Sequence, residues 1–249
     1  MATPLIVRGR EVELVRHPGE GPPLLLVHGA GSNARAWDPV ARALGGFEVA
    51  CPSLPGRGDG ARAPESAAEA GAWLAEVIDA LGGPPPFVLG HSYGGAVALE
   101  LALTGAPLAG LVLVATGARL RVHPAVLAAA AAAVEGGSLV STRFAFVGAE
   151  RAIVDAYEAA CATTPPDATQ RDWIACDSFD RIGALSGVHV PALVVGGTAD
   201  ALTPPKYHRY LAEHLPRAQL VMVEGRGHML PWEDPQGFAR MVRSFGAAC

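Results

Sequence analysis

Lysine is almost missing from this chain of 249 residues. Lys206 is the one lysine among 19 basic residues, the rest being arginine. Basic residues are also outnumbered, 19 against 24 Asp and Glu, for a formal net charge of -5. That balance excludes nucleic acid as an expected partner, because a phosphate-binding surface leaves a basic footprint. Charge is scarce overall, at 17%, while half of the residues are hydrophobic. Intrinsic disorder, which needs the opposite composition, is excluded. Cysteine is scarce too: Cys51, Cys161, Cys176 and Cys249 are far apart and form no C-x-x-C pair. They match neither a zinc pattern nor a disulfide framework and read as reduced, incidental thiols. Long apolar runs are missing as well. The longest outside the strand candidates, 126–134, is about half the length a membrane span needs. Residues 1–7 carry no basic stretch ahead of an apolar core, so no secretory leader is expected. What remains is a globular chain able to bury roughly 70–75% of its unfolded surface. It is expected to be cytoplasmic, a monomer or homodimer, and to bind neither membrane nor nucleic acid.

Brief apolar runs are present at 24–27, 48–51, 87–89, 111–115, 193–196 and 220–223. Most lack strict alternation, as strands buried on both faces of a parallel sheet do. Helical patterns lie between them at 37–44, 66–81, 96–103, 206–214 and 235–245. Strand alternating with helix predicts βαβ units and a mostly parallel sheet covered on both sides. Residues 3–8 and 10–16 could open the chain as an antiparallel edge hairpin. The alternation breaks between 119 and 188, where only helical stretches occur, at 123–134, 138–147, 150–161 and 170–174. The expected organisation is an α/β core, 1–118 and 189–249, with a helical cap, 119–188, inserted over one end of the sheet.

Gly90-His91-Ser92-Tyr93-Gly94 follows the strand at 87–89 and precedes a helix. G-x-S-x-G between strand and helix is the pattern of a nucleophile elbow. Its turn is so tight that neighbouring Cβ atoms would clash, which the two glycines avoid. The turn presents the Ser92 hydroxyl beside a helix N-terminus, whose partial positive charge favours an anion. A serine hydroxyl needs a base. Among eight histidines, His228 lies in Glu224-Gly225-Arg226-Gly227-His228, directly after the strand at 220–223 and at the end where open α/β sheets place their sites. The base in turn needs an acid to fix its tautomer. Asp200 ends Gly196-Gly197-Thr198-Ala199-Asp200, one strand earlier. Glu224 is the competitor, and Asp177 and Asp180 read as solvated cap residues. Thr116, after the strand at 111–115, has a hydroxyl that cannot act as the acid. An oxyanion needs preorganised N–H donors. Tyr93 should supply one, and the Ala30 amide in His28-Gly29-Ala30-Gly31 the other. His28 and His91 read as structural.

The order Ser92, Asp200, His228 belongs to α/β-hydrolases. With the motifs at 24–31, 90–95, 191–200 and 225–232, the chain resembles the α/β-hydrolase superfamily. Its resemblance is to the branch of small carboxylesterases, enol-lactonases and cofactor-free haloperoxidase-like proteins. That resemblance implies an eight-stranded sheet with a lid inserted after the sixth strand. In Ser53-Leu54-Pro55-Gly56-Arg57-Gly58 the chain departs from relatives, which usually carry an Asp ahead of Pro-Gly-x-Gly. Serine at 92 excludes the alkyl-enzyme chemistry of relatives with Asp there and leaves acyl transfer, with no metal or organic cofactor.

Trp37, Phe144, Phe146, Trp173 and Met229 are candidate substrate contacts, with Tyr157, Phe179 and Leu230 as further candidate walls. An apolar pocket suits a neutral ester or lactone of modest size. The leading expectation is a serine carboxylesterase. A C–C bond hydrolase with the same three residues, and a signalling or sensor protein of slow turnover, stay open beside it.

Overall fold

The structure is a computed structural model and describes residues 4–138 and 141–249. Seven strands form the main sheet: β3 (Leu14–His17), β4 (Pro23–Val27), β5 (Glu48–Pro52), β6 (Phe87–His91), β7 (Gly110–Val114), β8 (Ala192–Gly197) and β9 (Ala218–Val223). Their spatial order is β3-β5-β4-β6-β7-β8-β9. Only β3 runs antiparallel, against β5. The expected edge hairpin is divided. β1 (Ile6–Val7) pairs with β2 (Arg10–Glu11) in a separate two-stranded sheet, and β3 alone joins the main one. Arg8 and Gly9 both take positive φ at that turn. A two-residue strand ends before it reaches the main sheet, so seven strands replace the eight expected among the described residues.

Alternate residues of the central strands feed two cores. Leu25, Val27, Val88, Leu111 and Leu113 pack against α2 (Ala67–Leu81), α3 (Tyr93–Leu103) and α7 (Pro205–His214). Leu24, Leu26, Leu89, Val112 and Val114 pack against α1 (Asp38–Ala43), α8 (Leu230–Glu233) and α9 (Pro235–Gly246). Burial on both faces explains the continuous apolar runs. The chain passes from β4 out to β5 and then returns to β6 on the other side of β4. The crevice at such a reversal, beyond the strands' carboxyl ends, is where open sheets bind ligands.

Between β7 and β8 lie α4 (Pro124–Val134), α5 (Arg151–Cys161) and α6 (Pro166–Ser178). α6 is longer than the 170–174 expected, because Pro166 begins it at the first helical position, where a missing N–H costs nothing. The helix expected over 138–147 is reduced, in its described part, to a 3₁₀ turn at Arg143–Ala145; residues 139 and 140 lie outside the described residues. The four cysteines are free. Among the described residues no helix is long and apolar enough to cross a membrane.

Candidate active site

Ser92 sits between β6 and α3 at φ 55 and ψ -118. Such a backbone costs about 1–3 kcal/mol and persists only where its surroundings impose it. The Ser92 N–H donates to the Val114 carbonyl at 2.9 Å, its carbonyl accepts from the Gly95 N–H at 2.9 Å, and the Thr116 hydroxyl donates to the same carbonyl at 2.8 Å. Thr116 therefore secures the elbow. A Cβ on Gly90 would lie 2.2 Å from the Gly94 carbonyl oxygen, and one on Gly94 would lie 2.2 Å from that of Val27. The glycines let β4, β6 and α3 meet backbone to backbone.

His228 and Asp200 come from adjacent loops that are sewn together. Ala199 N–H donates to the Arg226 carbonyl at 2.9 Å, and Gly225 N–H to the Thr198 hydroxyl at 2.9 Å. His228 Nδ1 then faces Asp200 Oδ2 at 3.0 Å, with both side chains buried. Asp200 also accepts from the Leu202 and Thr203 amides, each at 2.8 Å, and from the Thr203 hydroxyl at 2.6 Å. Burial alone would raise the Asp200 carboxyl, but His228 and the Thr203 groups outweigh it and bring the pKa down to about 2. The ionised Asp200 accepts a hydrogen bond from His228 Nδ1–H, so the proton stays on Nδ1 and Nε2 is the lone-pair nitrogen. Ser92 and His228 line one cavity with Leu120, Val122, Trp173 and Tyr207. Glu224, the competing acid, is exposed. Asp177 caps the Val122 amide at 2.9 Å, and Asp180 faces Arg119 and Arg121 at the surface.

The Gly29 carbonyl accepts from the Ser32 N–H at 3.2 Å, closing a tight turn whose third residue, Gly31, has φ 70. That φ is the one a type II turn requires. The Gly31 amide donates to Asp172 Oδ2 at 2.9 Å. The turn's own bond uses neither central amide, so the Ala30 N–H is the one left to a ligand. The Tyr93 N–H opens α3, where the first turn's donors have no helical partner. His28 anchors the turn: Leu54 N–H donates to Nε2 at 3.0 Å, so Nδ1 carries the proton given to the Gly29 carbonyl at 2.9 Å. His91 Nε2 donates to the His228 carbonyl at 3.0 Å. Burial, with His228 nearby, presses the His91 pKa down to about 3; burial also holds His28 well below its ordinary value. Both rings are neutral supports. Among the described residues no three His, Cys, Asp or Glu side chains are grouped to hold a metal ion.

The sequence model of the alpha/beta hydrolase family matches residues 24–241. The chain belongs to the alpha/beta hydrolase family. It is 32% identical to a pimeloyl-[acyl-carrier protein] methyl ester esterase of Neisseria meningitidis over 88% of this chain and 91% of that one. It is 31% identical to an N-formylmaleamate deformylase of Pseudomonas putida over 90% and 88% of the two chains. The solved structure of an enol-lactonase from Burkholderia xenovorans LB400 superposes with TM-score 0.85 at 22% identity, covering 96% of this chain and 97% of that one.

Within this hydrolase, Trp173 and Phe144 line the cavity beside Ser92. The other aromatic candidates lie elsewhere. Trp37 is fully buried and stacks on Trp232 with ring centroids 4.6 Å apart, so it supports the site from the core and not at the entrance. Phe146 packs edge-on against Tyr157, and Met229, Leu230, Tyr157 and Phe179 are core residues. Met229 and Leu230 enter α8 and turn inward with it. Sequence reasoning passed over Thr203, whose only signal was its place three residues after Asp200. It also passed over Glu233, which accepts from the Gly227 and Val147 amides, each at 2.9 Å, and so holds the His228 loop. Ser53, where the resemblance leads one to expect Asp, accepts from the Ala34 amide at 2.9 Å and donates to Glu13 at 2.6 Å, so that a carboxylate stands beside this loop.

Proposed function

We propose that this hydrolase cleaves carboxylic esters of modest size, with Ser92 as nucleophile, His228 as general base and Asp200 as the acid that orients it. The observation that carries this reading is the left-handed Ser92 facing one mostly apolar cavity together with His228, whose Nδ1 is held by the buried Asp200. His228 Nε2 takes the Ser92 proton as Oγ bonds to the ester carbon. The oxyanion that forms is met by the N–H groups of Ala30 and Tyr93, and donors of this kind are worth roughly 2.7–4 kcal/mol each where measured. The C–O bond then breaks, and the alkoxide leaves with the proton from His228. Water gives a proton to His228 and attacks the acyl-enzyme, releasing the acid and returning that proton to Ser92. The similarity to a methyl ester esterase supports an ester with a small alcohol portion.

Purified protein and Ser92→Ala, assayed on p-nitrophenyl acetate, butyrate and octanoate and with a fluorophosphonate label read by intact mass, test the reading. Short-chain turnover with one label, and loss of both in the variant by about 10⁴-fold or more, is expected. Full activity of the variant would overturn it.

A further inference from the structure

Arg57, in the loop after β5, and Asp172, in the middle of α6, form an ion pair between residues 115 positions apart. Their side chains are 2% and 0% exposed. Neither lines the cavity beside Ser92, and neither has a part in the steps above. Both instead grip one turn. Asp172 Oδ2 accepts from the Gly31 amide at 2.9 Å as well as from Arg57. Arg57 Nε donates to the Ser32 carbonyl at 2.9 Å, and Nη1 to the Leu54 and Pro55 carbonyls at 3.3 and 3.0 Å. The second carboxylate oxygen, Oδ1, has no partner among the described residues, so the bonding of Asp172 converges on Oδ2.

The turn held in this way carries Ala30. Its third residue is fixed through N–H by α6, and its fourth through C=O by the β5 loop. Thr169, one helical turn before Asp172, closes the other side: a Cβ on Gly31 would lie 3.0 Å from its methyl carbon. With the Gly31 amide engaged by a carboxylate, the Ala30 amide alone stays free to point at an oxyanion. A pair needed only to fasten α6 could bond anywhere along the helix. This one bonds at Gly31 and Ser32, the two residues directly after Ala30, whose amide is one of the two donors on which the ester mechanism depends.

We propose that Arg57 and Asp172 are positioning residues that set the oxyanion turn, so that a docked α6 is a condition for a formed oxyanion site. The proposal rests on the ester-hydrolase reading above. Asp172→Asn and Arg57→Lys are the test variants, measured for kcat, KM, Tm and the Ki of a trifluoromethyl ketone analogue of p-nitrophenyl butyrate. Arg57→Lys keeps the charge but cannot reach four acceptors, so it serves if Asp172→Asn does not fold. A displaced turn should lower kcat by about 10–100-fold. The analogue's Ki should weaken in step with kcat/KM, while KM moves by less than about 3-fold. In wild-type protein, adding the analogue should shift the Ala30 amide resonance and leave that of Gly31 in place. Folded variants whose kcat and analogue Ki stay within about 2-fold of wild type would overturn the proposal. So would a rise in KM and Ki at unchanged kcat, or a wild-type shift at Gly31 in place of Ala30. A wild type that takes no fluorophosphonate label would overturn the ester reading and this proposal together; a labelled wild type with unaffected variants removes this proposal alone.

Discussion

At Asp200 one carboxylate accepts from two amides, a hydroxyl and an imidazole, and this saturation holds its pKa at about 2 despite burial. The sign of the linkage follows. A carboxylate whose folded pKa lies below its unfolded value near 3.8 stabilises the fold above that value, and the contribution is lost as pH falls toward about 2. Its size is on the order of 2 kcal/mol. Asp200→Asn should therefore lower stability at pH 7 by about this amount, measured by urea unfolding. The deficit against wild type should shrink below pH 4. The same variant should lose about 10⁴-fold in kcat, because an amide at this position no longer enforces the Nδ1–H tautomer of His228. A variant equal to wild type in both would remove Asp200 from its assigned role. Ser92, Asp200 and His228 are legible in sequence because each lies within five residues past the end of a strand, in a loop marked by glycine. Thr203 carries no such mark, since its hydroxyl gains meaning only from the fold of the loop that returns it to Asp200.

The β6–α3 elbow is an element in which backbone, not side chains, makes the contact. The helix begins at Tyr93, three residues before the start expected from periodicity. Gly94 and Gly95 have low helix propensity, and here close packing outweighs it: a Cβ on Gly94 would lie 2.2 Å from the Val27 carbonyl oxygen and 2.6 Å from that of His28. Neither can move without displacing β4 and the turn that follows it. Gly94→Ala should cost about 3 kcal/mol or more, seen as a lower urea midpoint at constant slope. Gly45→Ala is the control. Its Cβ would meet open space, and a change within about 0.5 kcal/mol is expected. Equal effects of the two substitutions would mean that the elbow yields. The buried strands were legible as elements from their apolar runs alone. The hairpin that became a separate small sheet was not, because two-residue strands leave no periodicity to read.

Across the whole molecule, the helices between β7 and β8 are joined to the core unevenly. α6 buries Ala168, Thr169, Asp172, Ala175 and Cys176, and burial pushes the Cys176 thiol up to about 12. Through Asp172 it is bound to the loops after β4 and β5. α5 is tied by its Ala160 carbonyl, which accepts from Asn33 at 2.7 Å. α4 buries only Ala130 and Ala133 of its residues. That region was legible as helical, but which helix docks was not. The alanine run of α4 is the strongest helix-forming stretch in the region, yet among the described residues α4 packs on α6 and not on the sheet, because propensity acts along a helix while docking depends on partners far away in sequence. Arg57 and Asp172 are illegible for the same reason: alone, each is one more charge in a loop or on a helix. Local opening free energy follows buried contacts, not helix propensity. Native-state hydrogen exchange should thus show the amides of α4 opening before the molecule unfolds, at least about 10-fold less protected than those of α6, a gap of about 1.4 kcal/mol. The central α6 amides should exchange with the sheet. If α4 and α6 open together, the inserted helices form one cooperative unit, and docking of α6 would then depend on α4 as well as on Asp172.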